Sequence, residues 1–307
     1  MKTPWWFLRR SPIAFLLWPV SLIYRAGARA VYWVRAVFPY RSRRPIICVG
    51  NIFAGGVGKT PIVREIAKYL DAPVVMRGYK SNKNTANIGD EALMLSRAGL
   101  QVHTGNRKSN VRLLNAQTDN TPIVMDDGFQ NPRIKKDISI LVFDERMGAG
   151  NGFVLPAGPL RESMRALRRA DAVIIIKTGK PRRALRIPKN IPVFYAHNET
   201  VSPYRAGTPL AAFAGIGYPK KFFDCLKNVV AKKSFADHYQ YTDEDITKLR
   251  RMAARKRARL VTTEKDWVRL PEKMRDVIKY AELRTVIDDG FYTWLQEKIH
   301  AHDTKSN

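Results

Sequence analysis

The amino-acid sequence is poor in cysteine, lacks internal repeats and contains no long uninterrupted apolar run. Cys48 and Cys225 are the only cysteines in 307 residues, which excludes a disulfide framework or a cysteine-based metal site and suits a reducing compartment. The absence of a fixed-period repeat excludes solenoid and propeller architectures. With 45% apolar residues, the chain can still build globular cores, in one large domain or two modest ones.

Acidic residues are also scarce. The 54 lysines and arginines outnumber 27 acidic residues and leave a formal net charge of +27. Such an excess indicates a partner rich in negative charge, and it does not distinguish nucleic acid from anionic lipid or a phosphorylated substrate. No acidic residue precedes Glu65. The basic N-terminal stretch contains Arg9, Arg10, Arg25, Arg29, Arg35, Arg41, Arg43 and Arg44.

The first 44 residues combine these arginines with several aromatic residues and an apolar run from Pro12 to Tyr24. Arginine and aromatic side chains prefer the lipid headgroup layer. The run is shorter than the roughly 20 apolar residues that span a bilayer, and Pro19 interrupts it. A monotopic or half-inserted anchor is therefore favoured, with a buried amphipathic helix as the alternative. A signal peptide cleaved near 26–30 is disfavoured by the segment GGVGKT near residue 50, because such a glycine-rich segment is typical of nucleotide sites, which need cytoplasmic ATP.

From Pro45 onward, short apolar runs alternate with helical patterns, which predicts an α/β fold with a doubly wound parallel sheet. The runs are continuously apolar, as expected of strands that are covered on both faces. Residues 61–70 have the periodicity of a helix with one apolar face. The predicted strands are 46–49, 74–76, 123–125, 140–143, 173–176, 193–195, 210–214 and 260–263.

The domain organisation is predicted from a break in this alternation. A basic, proline-containing passage at 177–192 is typical of a linker or surface excursion. Strand signals then resume around helical patterns at 220–229 and 242–257, which indicates a second, smaller α/β lobe. The predicted parts are a membrane-associated helical segment at 1–44, a nucleotide-binding core at 45–192 and a smaller C-terminal lobe at 193–307.

The strongest motif is GNIFAGGVGKT at 50–60, which follows a predicted strand and opens a helix, as in P-loop NTPase-type cores. In such loops backbone N–H groups surround phosphates, the lysine neutralises β/γ-phosphate charge and the threonine ligates magnesium. The general pattern has glycine where this chain has Phe53, and Ala54 stands where some dimeric ATPases carry lysine. A glycine-rich turn that binds nothing is the alternative. The predicted ATP-binding loop residues are Phe53, Ala54, Gly55, Gly56, Val57, Gly58, Lys59 and Thr60.

Four candidate residues for chemistry stand outside this loop, namely the pair Asp126 and Asp127, and Asp90 and His238. Asp126 and Asp127 end a predicted strand, and although such a pair is often a turn or a cap, its combination with the loop predicts a magnesium site. Asp90 precedes a helical pattern and either caps the helix or activates a phosphate acceptor. His238 could take a proton or tune a carboxylate, with a solvated histidine as the alternative.

In order and spacing, these motifs resemble the tetraacyldisaccharide 4'-kinase family of lipid A biosynthesis. The resemblance covers nearly the whole chain, and the loop is its most specific part. The matching segments are GNIFAGGVGKTP (50–61), RGY (77–79), GDE (89–91), DDGFQ (126–130), GNGFVLPAGPLRE (150–162), FAGIGYPKKFF (213–223), FADHY (235–239) and LVTTEKDWVRL (260–270). Asn131 and the pair Lys80-Ser81 depart from many relatives, at positions that carry no assigned chemistry.

The resemblance implies transfer of the γ-phosphate of MgATP to the 4'-hydroxyl of a tetraacyldisaccharide 1-phosphate, which gives lipid IVA. It also implies two α/β/α lobes and a peripheral or monotopic position at the cytoplasmic face of the inner membrane. The expected partners are the acylated disaccharide and an anionic membrane surface, without nucleic acid or an obligate protein partner.

The resemblance further implies individual residue roles. Asp90 is expected to be the catalytic base and His238 to pair with it. Glu264, Lys265 and Asp266 receive no individual role, and a structural salt-bridge turn is favoured for them. The remaining expectations are Lys59 for phosphate, Thr60, Asp126, Asp127 and Glu91 for magnesium, Gln130 beside the nucleotide, and Arg77, Arg107 and Arg161 for substrate or the transferring phosphate.

Two other functions compete with a lipid kinase. A membrane-associated regulatory ATPase would hydrolyse ATP without a lipid acceptor, and it would need no base at Asp90. Nucleic-acid binding suits the charge of +27, but no basic and aromatic recognition module is present.

Overall fold

The computed structural model describes residues 4–77, 89–179, 184–217, 219–237 and 239–306, which form two compact units. The larger unit contains the described residues of Thr3–Ser81, Ala98–His197 and Thr285–Asn307. The smaller unit contains those of Asn82–Arg97 and Asn198–Arg284. Both units are therefore discontinuous in sequence. The division at residues 44 and 192 that the sequence suggested stays a prediction.

The larger unit is built on a parallel sheet. Its strands lie in the order β3-β2-β4-β1-β5-β6-β7, and every neighbouring pair in this order is parallel. Strands β1 and β4 are buried throughout, and β5 and β6 are buried up to their last residue, as expected of largely apolar strands that are covered on both faces. The strands are β1 Ile46–Gly50, β2 Val74–Met76, β3 Val102–Thr104, β4 Ile123–Asp126, β5 Ile138–Asp144, β6 Ala172–Lys177 and β7 Val193–Val201.

Helices pack on this sheet through their apolar faces. In α3, Lys59–Leu70, the side chains of Ile62, Val63, Ile66 and Ala67 are buried, as the periodicity predicts. Asp71 ends the helix in the left-handed conformation, with φ of 48°. The other helices of this unit are α1 Pro12–Leu16, α2 Trp18–Ala36, α5 Arg107–Asn115, α10 Asp289–Ser306 and two 3-10 helices, Trp5–Phe7 and Met164–Arg169.

The smaller unit repeats the α/β pattern on a smaller scale. Its strands lie in the parallel order β11-β10-β8-β9. Thr242 begins α7 with a capping box, in which its side chain accepts from the Asp245 amide and Asp245 accepts from the Thr242 amide. The elements are α4 Asp90–Arg97, β8 Leu210–Ala214, α6 Pro219–Cys225, β9 Val229–Ser234, α7 Asp243–Arg255, β10 Arg259–Thr263, α8 Glu264–Trp267, α9 Glu272–Arg275 and β11 Lys279–Ile287.

The predicted α/β fold with a parallel sheet core is confirmed, and all eight predicted strands are present. Three strands were missed, namely β3, β9 and β11. The helix predicted at 220–229 is too long, because α6 ends at Cys225 and β9 begins at Val229. Between them Asn228 adopts φ of 56°, a left-handed conformation that no helix continues through.

The N-terminal helices leave most of their surface exposed. In α2 Ser21 is the single buried residue, while Ile23, Val34 and the following Phe38 are 74%, 75% and 87% exposed. Ser21 accepts a hydrogen bond from the Ala157 amide at 3.1 Å and donates to the Val154 carbonyl at 2.9 Å. Within the described ranges, no helix is both long enough and apolar enough to cross a bilayer.

Candidate functional site

The phosphate loop connects β1 to α3 and is shaped by its glycines. Gly58 has φ of 83°, a conformation that favours glycine, and a Cβ added there would displace the end of the Ile176 side chain, whose Cδ1 would lie 2.9 Å away. Gly55 and Gly56 are exposed. Phe53 and Val57 are only 2% and 4% exposed, so their side chains fill the core and only their backbone can face a ligand.

Asn51 holds this loop together. Its side-chain amide donates to the carbonyls of Phe53 at 2.9 Å and Gly55 at 3.4 Å. Its Oδ1 accepts from Lys59 Nζ at 3.2 Å, and its backbone carbonyl accepts from Gln130 Nε2 at 2.8 Å. Sequence reasoning assigned Asn51 no role, although it stands directly after the first glycine of the motif. Gln130 thus contacts the loop backbone through this residue.

The two adjacent carboxylates lie at the carboxyl end of β4, next to β1. Asp126 is paired in register with Val49 and is 4% exposed. Asp127 follows with φ of 51°, and its amide donates to the Val49 carbonyl at 2.9 Å. This left-handed residue turns the chain, so that the two carboxylates have different surroundings, one buried and one partly exposed.

Asp127 is the centre of a charged cluster. Lys59 Nζ lies 3.4 Å from its Oδ1, and Arg161 Nη1 lies 3.0 Å from each of its carboxylate oxygens. Burial by itself would raise the pKa of Asp127, but the charges of Lys59 and Arg161 and the hydrogen bonds from them hold that pKa below its ordinary value. The carboxylate is therefore kept ionised beside the loop.

Arg107 contacts the backbone of the same turn. Its Nη2 donates to the carbonyls of Asp126 at 2.8 Å and Asp127 at 3.1 Å. Burial lowers the pKa of the Arg107 guanidinium, although neighbouring carboxylates oppose that effect. The described contacts of Arg107 are thus to the backbone that carries the two aspartates.

The segment that precedes Arg161 is bonded to the phosphate loop. The Ala54 amide donates to the Pro159 carbonyl at 2.6 Å, and the Arg161 amide donates to the Ile52 carbonyl at 2.7 Å. Leu160 forms an isolated antiparallel bridge with Phe53. The backbone at Arg161 is therefore held against the loop, and its side chain extends to Asp127.

The remaining predicted residues of the larger unit lie at element ends. Thr60 is half-buried in the first turn of α3. Arg77 is exposed after β2, and its carbonyl accepts from the Gly105 amide at 3.1 Å. In the described parts of the chain, no group of three or more histidine, cysteine, aspartate or glutamate side chains is arranged so that it could hold a metal ion. A threonine hydroxyl and one or two carboxylates nevertheless suit magnesium, which takes its other ligands from phosphates and water.

The predicted catalytic base belongs to the smaller unit. Asp90 and Glu91 begin α4, and Glu91 is exposed. The Asp90 Oδ2 accepts from Arg269 Nε at 2.9 Å and Nη2 at 2.7 Å. Arg269 had no predicted role. His238 lies outside the described residues.

The structure therefore brings most of the predicted nucleotide residues together. A glycine-rich loop, a lysine, an ionised aspartate and an arginine face the same end of the parallel sheet, where α/β proteins bind ligands. Backbone N–H groups and the α3 N-terminus suit phosphate oxygens. The converging residues are Asn51, Lys59, Arg107, Asp126, Asp127, Gln130 and Arg161.

Comparison with known proteins gives one consistent result. A profile of the family described as Tetraacyldisaccharide-1-P 4'-kinase matches residues 13–300. The chain is 38% identical over 301 residues to the tetraacyldisaccharide 4'-kinase of Methylobacterium nodulans, covering 88% of each chain. It is 38% identical over 319 residues to that of Phenylobacterium zucineum, covering 94% of this chain and 96% of the relative.

A solved structure shares the fold. The match to the crystal structure of LpxK from Aquifex aeolicus in complex with ATP covers 94% of the present chain and 99% of the Aquifex chain. The TM-score is 0.74 and the sequence identity is 23%. At this identity the likeness shows the α/β architecture over nearly the full length.

Proposed function

This chain belongs to the tetraacyldisaccharide 4'-kinase family, and from that premise we propose how its residues carry out the reaction. The enzyme is an ATP-dependent phosphotransferase of lipid A biosynthesis. It transfers the γ-phosphoryl group of ATP to the 4'-hydroxyl of a tetraacyldisaccharide 1-phosphate. The observation that carries the assignment of roles is the cluster in which Lys59 and Arg161 flank Asp127 beside the glycine-rich loop.

The loop is proposed to bind the nucleotide through its backbone. Phe53 and Val57 anchor the loop in the core, and the Ala54 amide already donates to the Pro159 carbonyl, so the amides of residues 55–60 provide the phosphate contacts. Lys59 lies within 3.4 Å of both Asn51 and Asp127. A lysine ammonium held at this end of the loop neutralises charge on the β- and γ-phosphates. Arg161 supplies a second cation, and its backbone amide is bonded to the loop.

Magnesium is proposed to be held by Thr60 and by Asp126 and Asp127. Oxygen donors of this kind fit a magnesium ion that also contacts phosphates. Bound magnesium offsets the negative charge that the transferring phosphoryl group carries. The low pKa of Asp127 supports this role because the carboxylate stays ionised. The family resemblance implies that Glu91 assists the metal and that Arg77 contacts the substrate or the transferring phosphate. Both roles stay predictions.

On the acceptor side, Asp90 is proposed as the catalytic base. It takes the proton of the sugar hydroxyl while that oxygen bonds to the γ-phosphorus and the bond to the β,γ-bridging oxygen breaks, releasing ADP. His238 is proposed to assist Asp90, as the resemblance implies. Phosphoryl transfer depends mainly on positioning and charge neutralisation, so the base is expected to add about 10²- to 10⁴-fold to the rate.

We also propose that α1 and α2 dock on an anionic membrane surface, which would place the enzyme at the cytoplasmic face of the inner membrane. The exposed side chains of α2 mix apolar residues with arginines, an arrangement that suits the headgroup layer. Such docking would bring the enzyme to a substrate whose acyl chains stay in the bilayer.

The same N-terminal segment is connected to the phosphate loop. Asn151 donates from its side-chain amide to the carbonyls of Trp6 and Ala157, at 2.8 Å each. Ser21 bonds to the backbone of the same segment, which continues to the bridge between Leu160 and Phe53. One stretch of chain therefore contacts both the proposed membrane helices and the nucleotide loop, which supports their joint role.

The assay that tests the function measures transfer of radiolabelled γ-phosphate from ATP to the tetraacyldisaccharide 1-phosphate in mixed micelles with magnesium. Wild-type protein is expected to label the lipid, and Asp90→Ala to lose most of that labelling. ATP hydrolysis without lipid labelling would instead support a regulatory ATPase, and full activity of Asp90→Ala would exclude the role of Asp90.

The membrane proposal is tested by co-sedimentation with vesicles that contain phosphatidylglycerol. Replacing Trp33, Val34 and Phe38 by serine is expected to weaken vesicle binding, since their exposed apolar surface would no longer be buried. Val230→Ser, at a strand position that is 47% exposed, is the matched control. Equal binding of both variants would contradict the proposal.

A further inference from the structure

Arg269 is a buried arginine that contacts the proposed catalytic base. Its side chain is only 2% exposed, and its Nε and Nη2 both donate to Asp90 Oδ2. Its Nη1 donates to the Gly215 carbonyl at 3.2 Å and lies 3.4 Å from Asp266 Oδ1. One guanidinium therefore joins three segments of the smaller unit that are far apart in sequence.

The other end of this arrangement is rigidly held. Asp266 is fully buried, its Oδ2 accepts from the Thr263 hydroxyl at 2.6 Å, and its amide donates back to Thr263 Oγ1 at 3.0 Å. These bonds form the N-terminal cap of α8. A Cβ on Gly215 would lie 3.1 Å from Asp266 Oδ1 and 3.0 Å from the Tyr241 hydroxyl, which shows how closely the chain packs here.

The identity of the side chain matters for this geometry. A guanidinium presents several N–H groups in a fixed plane, so it can donate to Asp90 through two nitrogens while the third nitrogen faces Gly215 and Asp266. A lysine ammonium is a point charge on a flexible stem and cannot make all these contacts in one geometry. Arginine thus restricts both the position and the rotation of the Asp90 carboxylate.

We propose that Arg269 is a positioning residue, which holds the Asp90 carboxylate in the orientation that accepts the proton of the sugar 4'-hydroxyl. The proposal rests on the proposed role of Asp90 as base. Arg269 donates to Asp90 Oδ2, and its proposed effect on the reaction passes through Asp90. Misplacement of a catalytic group by as little as 1 Å can cost about 10²-fold in rate, so the fixed orientation has a measurable consequence.

The competing explanation is a purely structural ion pair. An arginine with that role would contribute to the folding of the smaller unit without a separate effect on the chemical step. Arg275 provides a control arginine with structural contacts, because its guanidinium donates to the backbone carbonyls of Leu270 at 3.0 Å and Val268 at 2.7 Å in the same region.

The first experiment compares Arg269→Lys with Arg275→Lys in the mixed-micelle assay, with circular dichroism to verify the fold. Arg269→Lys is expected to lower kcat about 10- to 50-fold, while KM for ATP and for lipid changes less than about twofold. Arg275→Lys is expected to leave kcat within about twofold of wild type. Equal kcat values for the two variants would overturn the proposal.

The second experiment is a double-mutant cycle with Asp90→Asn. If Arg269 acts through Asp90, Arg269→Lys is expected to lower kcat less than about threefold in the Asp90→Asn background, because the group that it positions is already lost. A full 10- to 50-fold loss in both backgrounds would overturn the proposal. Should Arg269→Lys fold poorly, Asp266→Asn loosens the same arginine and is expected to lower kcat with unchanged KM.

These outcomes separate the inference from the proposed function. If wild-type protein fails to label the lipid, or Asp90→Asn retains full activity, the proposed function or its base is wrong. If both behave as expected and the cycle with Arg269 shows independent losses, only the positioning role is excluded.

Discussion

Each unit of this kinase pairs an arginine with a carboxylate that is central to its proposed chemistry, and the two pairs differ in burial. In the larger unit, Arg161 and Asp127 are 30% and 28% exposed at the side chain. In the smaller unit, Arg269 is 2% exposed, whereas Asp90 is 32% exposed. The carboxylates are thus similarly accessible, and the arginines are not.

This difference indicates two uses of the same ion pair. Arg161 is partly exposed and makes a side-chain bond to Asp127, so it can also turn toward a phosphate. Arg269 is enclosed and additionally held by Asp266 and Gly215, so it stays with Asp90. An exposed arginine is suited to binding a ligand, whereas an enclosed one is suited to fixing its partner.

The largest effect on the reaction rate is expected for a substitution in the phosphate loop. Lys59→Ala should lower kcat about 10²- to 10³-fold, because it removes a cation at the transferring phosphate, and it should also raise KM for ATP. Asp90→Ala should lower kcat alone. Steady-state kinetics with varied ATP tests this contrast, with Lys68→Ala on the exposed side of α3 as control. An unchanged KM for ATP in Lys59→Ala would contradict it.

The two arginines should differ next in their contribution to stability. Arg269→Ala leaves the buried Asp266 without this charge partner and should lower the free energy of unfolding by about 3–5 kcal/mol. Arg161→Ala removes a partly exposed pair and should lower it by less than about 1 kcal/mol. Urea unfolding followed by circular dichroism measures both values. Equal losses of unfolding free energy in the two variants would show that the exposure of the arginine does not determine how much each ion pair contributes to stability.

Arg161→Lys should then have a moderate effect on rate. Lysine keeps the charge, but its shorter side chain ends before the position of Nη1, the nitrogen that lies 3.0 Å from each carboxylate oxygen of Asp127. A loss of one charge-assisted hydrogen bond, about 1.5–3 kcal/mol, corresponds to a roughly 10- to 100-fold lower kcat/KM. Arg168→Lys, at an exposed position nearby, serves as control. If Arg161→Lys kept the wild-type kcat/KM, Arg161 would have only a structural role.

The smallest effect is expected at the cap of α7. Thr242→Ala removes the side chain that accepts from the Asp245 amide and should lower the unfolding free energy by about 1 kcal/mol. The rate should not change, because Thr242 is exposed and touches no proposed site residue. Thermal unfolding and the kinase assay together test this. A lower kcat in Thr242→Ala would mean that any destabilisation of the smaller unit slows the reaction. A lower kcat in Arg269→Lys would then no longer indicate that Arg269 positions Asp90.

Much of the fold could be predicted because the buried strands are continuously apolar. Strands such as β5 and β6 are covered on both faces, so their sequences carry a strong local signal. The missed strands β3 and β9 lie at the edges of their sheets, where strands are short or polar. The lysines of β9, Lys232 and Lys233, suit an edge strand and obscure the apolar pattern.

Predictions of the site succeeded best where one short motif contains all the information. The loop residues Lys59 and Thr60 stand in a continuous pattern with known chemistry. Asn51 lies just before that pattern and was missed, because the pattern assigns no chemistry to its position. Arg269 could not be found at all, since its partner Asp90 is 179 residues away in sequence.

By itself, the amino-acid sequence determined the α/β class, the phosphate loop, the adjacent aspartates and the family. These properties follow from local side-chain patterns and from the order of motifs along the chain. The tertiary structure alone decided that Asn51 clamps the loop, that Arg161 and Lys59 keep Asp127 ionised and that Arg269 holds Asp90. Such contacts depend on how distant segments pack, because burial and the geometry of hydrogen bonds arise only when the chain is folded.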